Sequence, residues 1–246
     1  MAYKSFFNWS GGKDSALGLY HALKNDEFSI ELLLTNVSSQ YHRVSMHGVR
    51  EELITQQAAC IGLPLQKLIL PDQPSMEDYE RVMSTAMTDL NAKGFTHSFF
   101  GDIFLEDLRV YREQSLQATG IKSEFPLWKK DTTALMHEFI DLGFKSIVVC
   151  TKANLLDESF TGRLIDHDFL KDLPTNIDPC GENGEFHTFV YDGPIFKKPV
   201  SFNIGEKVLR EYKAPRDASQ QSFKDEPQPA TDGFWFCDLL PVKNIN

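Results

Sequence analysis

From Ser5 to about Trp128, short apolar runs alternate with longer segments of helical period, the pattern of parallel strands joined by crossover helices. The strand-like runs are Ser5–Trp9, Ile30–Val37, Leu65–Leu70, His97–Ile103 and Ser123–Leu127. Between them, apolar side chains recur at spacings near 3.6: Ala16, Leu19, Tyr20 and Leu23; Leu53, Ile54, Ala58 and Ile61; Tyr79, Met83, Ala86 and Leu90; Leu108, Tyr111 and Leu116. Each set predicts one buried helix face. Five strands and four helices complete a doubly wound α/β unit, and a strand order of 3-2-1-4-5 would put its ligand site between the first and fourth strands.

Beyond Trp128 the pattern changes. Asp131 is placed to cap a helix carrying Leu135, Phe139 and Leu142, followed by a strand-like Ser146–Thr151. The rest is punctuated by Pro174, Pro179, Gly181, Gly184, Gly193 and Pro194, and reads as a second, smaller α+β domain. The expected division is 1–128 and 129–246. Residues 213–233, rich in Ser, Gln, Asp, Lys and Pro and without periodicity, are expected to form a mobile loop. The apolar Phe234–Val242 predicts a terminal strand.

Composition narrows the chemistry. With 25 Lys+Arg against 35 Asp+Glu the 246-residue chain has a formal charge of −10, so no nucleic-acid partner is expected. The four cysteines, Cys60, Cys150, Cys180 and Cys237, form no C-x-x-C pair, which fits reduced thiols rather than a zinc ribbon or redox pair. The apolar runs fall short of the roughly 20 residues that span a bilayer. Met1–Ser5 runs straight into a strand without leader features. A cytoplasmic protein with no membrane partner is expected.

The strongest chemical signal is Ser10-Gly11-Gly12-Lys13-Asp14-Ser15, directly after the first strand and opening the first helix. Two glycines admit close backbone approach, the helix start offers free N–H donors, and Lys13 adds a cation, so phosphate is the natural ligand. The spacing is not that of a Walker A loop. A carboxylate at Asp14 among phosphates implies a bridging Mg²⁺. Asp102, at the end of the fourth strand, would face this loop and is a second candidate for the metal, with Glu106 and Arg109 following on one helical face. An ordinary capping role for Asp102 is the alternative.

Ser-Gly-Gly-x-Asp-Ser in this position resembles the PP-loop of the ATP pyrophosphatases, a HUP-type fold. Ser45-Met46-His47-Gly48, Phe100-Gly101-Asp102-Ile103, Phe125-Pro126-Leu127-Trp128 and the run from Asp178 to Thr188 are similar to motifs of the diphthine-ammonia ligase family. The resemblance implies that ATP binds with its pyrophosphate portion on residues 10–15, that a carboxylate is adenylated, and that ammonium supplies the nitrogen of an amide. AMP and pyrophosphate would be the products. It further implies adenine read by main chain near Leu34–Val37. His47-Gly48, just before the second helix, is placed to lie beside the adenosine, with helix capping or packing of His47 as the alternative. The family's acceptor is diphthine on elongation factor 2. A different, small-molecule carboxylate, or an ATP-binding sensor without turnover, are the alternatives.

Glu182-Asn183-Gly184-Glu185 has two readings. Asn-Gly suits a tight turn whose glutamates point to water. Alternatively Glu182 and Glu185 are aimed at a cationic acceptor group or an incoming ammonium, one acting as base, with His187 a further partner. Cys180 beside them raises sulfur transfer, which the missing C-x-x-C and the acidic charge disfavour. The expected chemical set is thus Lys13, Asp14, Asp102, Glu182 and Glu185, with Mg²⁺ on Asp14 and Asp102. The expected ATP set is residues 10–15, Val37, His47 and Gly48.

Overall fold

A computed structural model describes residues 2–44, 48–71, 75–212 and 232–242. The first half alternates β1 (Tyr3–Asn8), α1 (Lys13–Leu23), β2 (Phe28–Ser38), α2 (Glu51–Ile61), β3 (Leu65–Leu70), α3 (Met76–Ala92), β4 (His97–Phe99), α4 (Glu106–Gln117) and β5 (Lys122–Glu124). The strands pair in parallel in the order β3-β2-β1-β4-β5, as the doubly wound reading expected. Because crossover helices cover both faces, alternate residues of one strand enter different cores. Phe7 packs with α1 and α2, whereas its neighbour Phe6 packs with Met87 and Leu90 of α3 and Leu116 of α4. Leu33 and Leu34 divide in the same way.

Two strands are shorter than their apolar runs. β4 stops at Phe99 rather than Ile103, because residues 100–105 leave the sheet and cross toward α1; Gly101 packs on the backbone of Asp14 and Ser15. β5 ends at Glu124, and 125–128 form a turn in which the Trp128 N–H donates to the Phe125 carbonyl at 3.1 Å.

The second half contributes α5 (Thr132–Asp141), β6 (Lys145–Lys152), α6 (His167–Asp172), β7 (Phe186–Asp192), β8 (Phe202–Tyr212) and β9 (Asp232–Pro241). Asp131 caps α5, its carboxylate accepting the Ala134 N–H at 2.8 Å. The strands form an antiparallel sheet in the order β7-β6-β9-β8, so the terminal strand lies inside the sheet. The expected mobile loop lies, for residues 213–231, outside the described residues. Among the described residues no helix is long and apolar enough to cross a membrane.

The antiparallel sheet docks onto the face of the parallel sheet that carries α1 and α2. One core runs from Phe7, Leu19 and Leu53 through Phe139 to Phe186, Phe189 and Leu239. Edge-on contacts fix the orientation: the Val190 N–H of β7 donates to the Gly11 carbonyl at 2.9 Å, and the Lys197 N–H to that of Cys60 at 2.8 Å.

Candidate active site

The loop between β1 and α1 is shaped by backbone geometry. Gly11 has φ of +82°, and a Cβ there would lie 2.6 Å from Ile54 Cδ1, so both conformation and space demand glycine. Gly12 caps α1 with extended backbone and no side-chain acceptor. The first intrahelical bond is that from the Ala16 N–H to the Gly12 carbonyl, 3.0 Å. The N–H groups of residues 13–15 therefore precede the ladder, the arrangement that attracts anions to helix starts. The Thr188 hydroxyl of β7 accepts that of Lys13 at 3.0 Å. Ser10 and Ser15 close the loop with their hydroxyls 2.8 Å apart.

Lys13 is buried, with its Nζ 2.8 and 3.0 Å from the Asp14 carboxylate oxygens and 5.3 Å from the Phe186 ring centre. Burial opposes its charge, but Asp14, with a lesser contribution from Glu182, outweighs this and holds the ammonium protonated. The 100–105 connection packs on the phosphate loop: a Cβ on Gly101 would lie 3.0 Å from Asp14 C and Ser15 N. Asp102 is ion-paired with Arg112 of α4, whose Nε lies 2.6 Å from Oδ2 and whose Nη2 donates to Oδ1 at 3.1 Å.

Opposite stands the 178–188 segment of the second half. Burial, then the charge of Asp14, and more weakly Asp102 and Asp178, pushes the Glu182 carboxyl up to about 8 against the pull of Lys13. His187 is held neutral, its pKa pushed down to about 4 by burial and by Lys13. Burial raises the Cys180 thiol, whose Sγ approaches the Thr132 carbonyl at 3.4 Å; a thiol held neutral is a poor sulfur carrier.

These groups share one open cleft of about 960 Å³ at the carboxyl ends of the parallel strands. Of the residues singled out in the sequence, Ser10, Lys13, Asp14, Ser15, Asp102, Glu182 and His187 line it. Gly11 and Gly12 shape the loop from behind. Leu34, Thr35 and Asn36 line the cleft beyond β2, together with Val44 and Leu70. Val37 is fully buried, bridged to Val44, and does not line it. His47 lies outside the described residues. Gly48 is set against Phe236 of β9 and its carbonyl accepts from Arg43, so it props the 43–50 segment and does not line the cleft.

Glu185 is placed differently from Glu182. It is 2% exposed and does not line the cleft, its carboxylate accepting the N–H groups of Asp178 (3.2 Å) and Asn183 (2.8 Å) and the Asn183 side-chain amide (3.0 Å). Although burial opposes its charge, these bonds lower its pKa. The helical face expected to carry Glu106 and Arg109 toward the cleft is also rotated. Arg109 pairs with Glu113 at 2.7 Å and stacks over Phe125 and Trp128. Arg112 was not singled out in the sequence. Residues 102–105 are not helical, so the phase counted from Asp102 restarts at Glu106. Thr188 was missed too, since its role depends on a contact 175 residues away in sequence.

The donor chemistry fits Mg²⁺ in a limited way. Asp14, paired with Lys13, and Asp102, paired with Arg112, both line the cleft, and Mg²⁺ characteristically takes one or two carboxylates and completes its shell with phosphate oxygens and water. Among the described residues no group of three or more His, Cys, Asp or Glu forms a self-sufficient metal cage.

A five-stranded parallel sheet with a glycine-rich loop between β1 and α1, capped by a separate antiparallel sheet, defines the class as PP-loop α/β proteins. Within that class the chain belongs to the diphthamide synthase family: residues 3–123 match the family model of the N-terminal domain and 131–217 that of the C-terminal domain. Relatives named diphthine–ammonia ligase include one from Schizosaccharomyces pombe, 27% identical over 81% of this chain and 36% of its own length. One from Danio rerio is 24% identical over 81% of this chain and 86% of its own. One from Saccharomyces cerevisiae is 26% identical over 76% and 33%. The chain thus spans about a third of the two yeast relatives and most of the zebrafish one. A solved structure from Methanocaldococcus jannaschii, described as a predicted subunit of a tRNA methyltransferase, aligns with TM-score 0.40 and 18% identity over 80% of this chain and 100% of its own.

Proposed function

We propose that this chain is an ATP-dependent amide-forming ligase that adenylates a carboxylate and amidates it with ammonium. The observation that carries the reading is the meeting, in one cleft, of a helix-start loop bearing a buried Lys13 with a half-buried Glu182 from the other half. In this reading residues 1–128 form the ATP-binding domain and 129–246 the substrate-binding domain that presents Glu182 to the incoming ammonium. The β- and γ-phosphates rest on residues 10–15, the Lys13 ammonium exchanging part of its bond to Asp14 for phosphate oxygens. The adenosine lies toward Leu34–Asn36 and Val44. Asp14 and Asp102 would hold Mg²⁺, which supplies charge neutralisation to the phosphates when bound. An acceptor carboxylate oxygen attacks the α-phosphorus, the bond to the bridging oxygen breaks, and pyrophosphate leaves. Ammonia then attacks the acyl carbon and AMP departs.

Glu182 suits the second step because a carboxyl with a pKa near 8 exchanges a proton near neutral pH, as removal of one from ammonium requires. Glu185 serves indirectly by holding the loop that presents Glu182. The relatives' name makes diphthine on elongation factor 2 the acceptor to try first.

Pyrophosphate release and nucleotide chromatography test the proposal, with ammonium and a panel of carboxylates including elongation factor 2 bearing diphthine. AMP and pyrophosphate are expected, in step with amide formation. ADP as product, or ATP binding with no release for any acceptor, would overturn it.

A further inference from the structure

A second cavity of about 420 Å³ opens between α3 and α4 and is not used by the scheme above. Its floor is Met83, Met87, Phe100 and Leu116, and Asn8, Tyr79, Met83, Phe100, Tyr111 and Arg112 line both it and the main cleft, so the two spaces adjoin. The Phe100 and Arg112 end of the junction lies on the β4 side of β1, whereas the proposed adenosine end lies on the β2 side, where Tyr79 of α3 meets Asn36. A nucleotide running from β2 across the phosphate loop therefore leaves this cavity open beside its phosphates.

Arg112 is the one Lys or Arg side chain among the residues lining the cavity. Its guanidinium lies 4.3 Å from the Phe100 ring centre and is ion-paired with Asp102, Nη2 donating to Oδ1 at 3.1 Å. An arginine has five N–H donors, so a carboxylate on that edge fixes its plane and leaves the Nη1 donors for a second oxyanion. A stacked guanidinium at the mouth of an apolar, thioether-lined cavity matches a ligand with a carboxylate at one end of an apolar stem.

We propose that the α3–α4 cavity is the acceptor subsite, taking an aliphatic stem while Arg112 binds its carboxylate beside the α-phosphate. The assignment rests on the ligase reading for its place in the reaction, but its binding chemistry is testable without turnover. Arginine Nε–Hε resonances are followed by NMR in the wild-type chain holding a non-hydrolysable ATP analogue, with acetate, butyrate and chloride as the probes. The Arg112 resonance should shift saturably with both carboxylates, with butyrate tighter than acetate and no saturable shift with chloride. Equal affinity for acetate and butyrate would remove the cavity from recognition. A resonance saturated by the nucleotide and indifferent to carboxylates would make Arg112 a phosphate ligand; either result overturns the proposal. In turnover, Arg112→Lys should raise the acceptor KM by about tenfold while changing ATP affinity less than about twofold, since Lys keeps the charge but not the fork. An unchanged KM in a wild-type background that does turn over would also overturn it. A butyrate-selective shift in a chain that releases no pyrophosphate would uphold the subsite and reject the ligase reading.

Discussion

Burial and neighbouring carboxylates raise the folded-state pKa of Glu182 to about 8, against about 4.3 for a glutamate in the unfolded chain. Between those values the native state binds the extra proton, so stability falls as pH rises across the window. Glu182→Gln removes the penalty. The apo variant should melt higher than wild type at pH 8.5 and close to it at pH 5, with each kcal/mol recovered raising Tm by about 2–4 °C. Glu185→Gln should do the reverse. An amide has one acceptor oxygen and sets an NH₂ against N–H groups, so it cannot satisfy the three donors that Glu185 accepts, at a cost of about 1–3 kcal/mol at pH 7. Because its folded pKa is lowered, that stabilisation is present above about 4.3 and lost as pH falls through the folded value. Melting curves of both variants at pH 3.5, 5, 7 and 8.5 check the signs. Equal effects of the same sign would mean that the two carboxyls share one environment. The sequence brought both glutamates to notice but not this difference, which depends on where each side chain is buried.

At the scale of elements, the site hangs on three backbone segments in contact: the phosphate loop, the β4–α4 connection and β7. Gly101 is where the first two touch. A methyl group there would meet main-chain atoms of Asp14 and Ser15 at 3.0 Å, and backbone cannot swing aside as a flexible side-chain end can. Gly101→Ala should therefore push Asp102 away from Asp14, costing about 1–3 kcal/mol of stability and lowering turnover more than ATP affinity. Thermal melts, calorimetry with ATP and pyrophosphate release measure the three quantities. Full turnover would show that the separation of Asp14 and Asp102 is not critical. Much at this scale was legible: the alternation of apolar runs marks five strands, the order supposed for them is the one observed, and the loop stands where a strand feeds a helix. The ends of β4 and β5 were not. Phe100, Ile103 and Leu127 stay buried after leaving the sheet, so hydrophobicity continues where strand geometry stops. The same non-helical stretch hid Arg112, because helical phase can be counted only from the residue where the helix begins.

At the scale of the molecule the two sheets are joined by polar groups as well as by the shared core. Gln57 is fully buried, with its Oε1 accepting the Trp9 indole N–H at 2.9 Å and its Nε2 donating to the carbonyls of Gly11 and Val190. Such contacts, like the placing of β9 between β6 and β8, join residues far apart in sequence and leave no periodic trace. Asp238 of β9 makes a further polar join: it accepts from Arg43 Nη1 at 3.0 Å and from Arg50 Nε and Nη2 at 3.2 and 2.6 Å. Both arginines belong to the 43–50 segment whose Val44 lines the cleft. Burial works against the Asp238 charge, but the two guanidinium groups prevail and depress its pKa. Its stabilisation is therefore complete above the unfolded value of about 3.9 and is lost as pH falls through the folded one. Asp238→Asn keeps the shape, removes the charge and should cost about 1–3 kcal/mol at pH 7. The deficit should begin to shrink as pH falls below about 3.9 and close only once the folded carboxyl is itself protonated. Since the pair also positions Val44, ATP affinity should fall at neutral pH, with pyrophosphate release recovering at saturating ATP. Melting temperature against pH from 3 to 8, with calorimetry at pH 7, separates the outcomes. A deficit independent of pH would show that packing rather than charge joins β9 to the 43–50 segment, and unchanged ATP affinity would detach that segment from the nucleotide site.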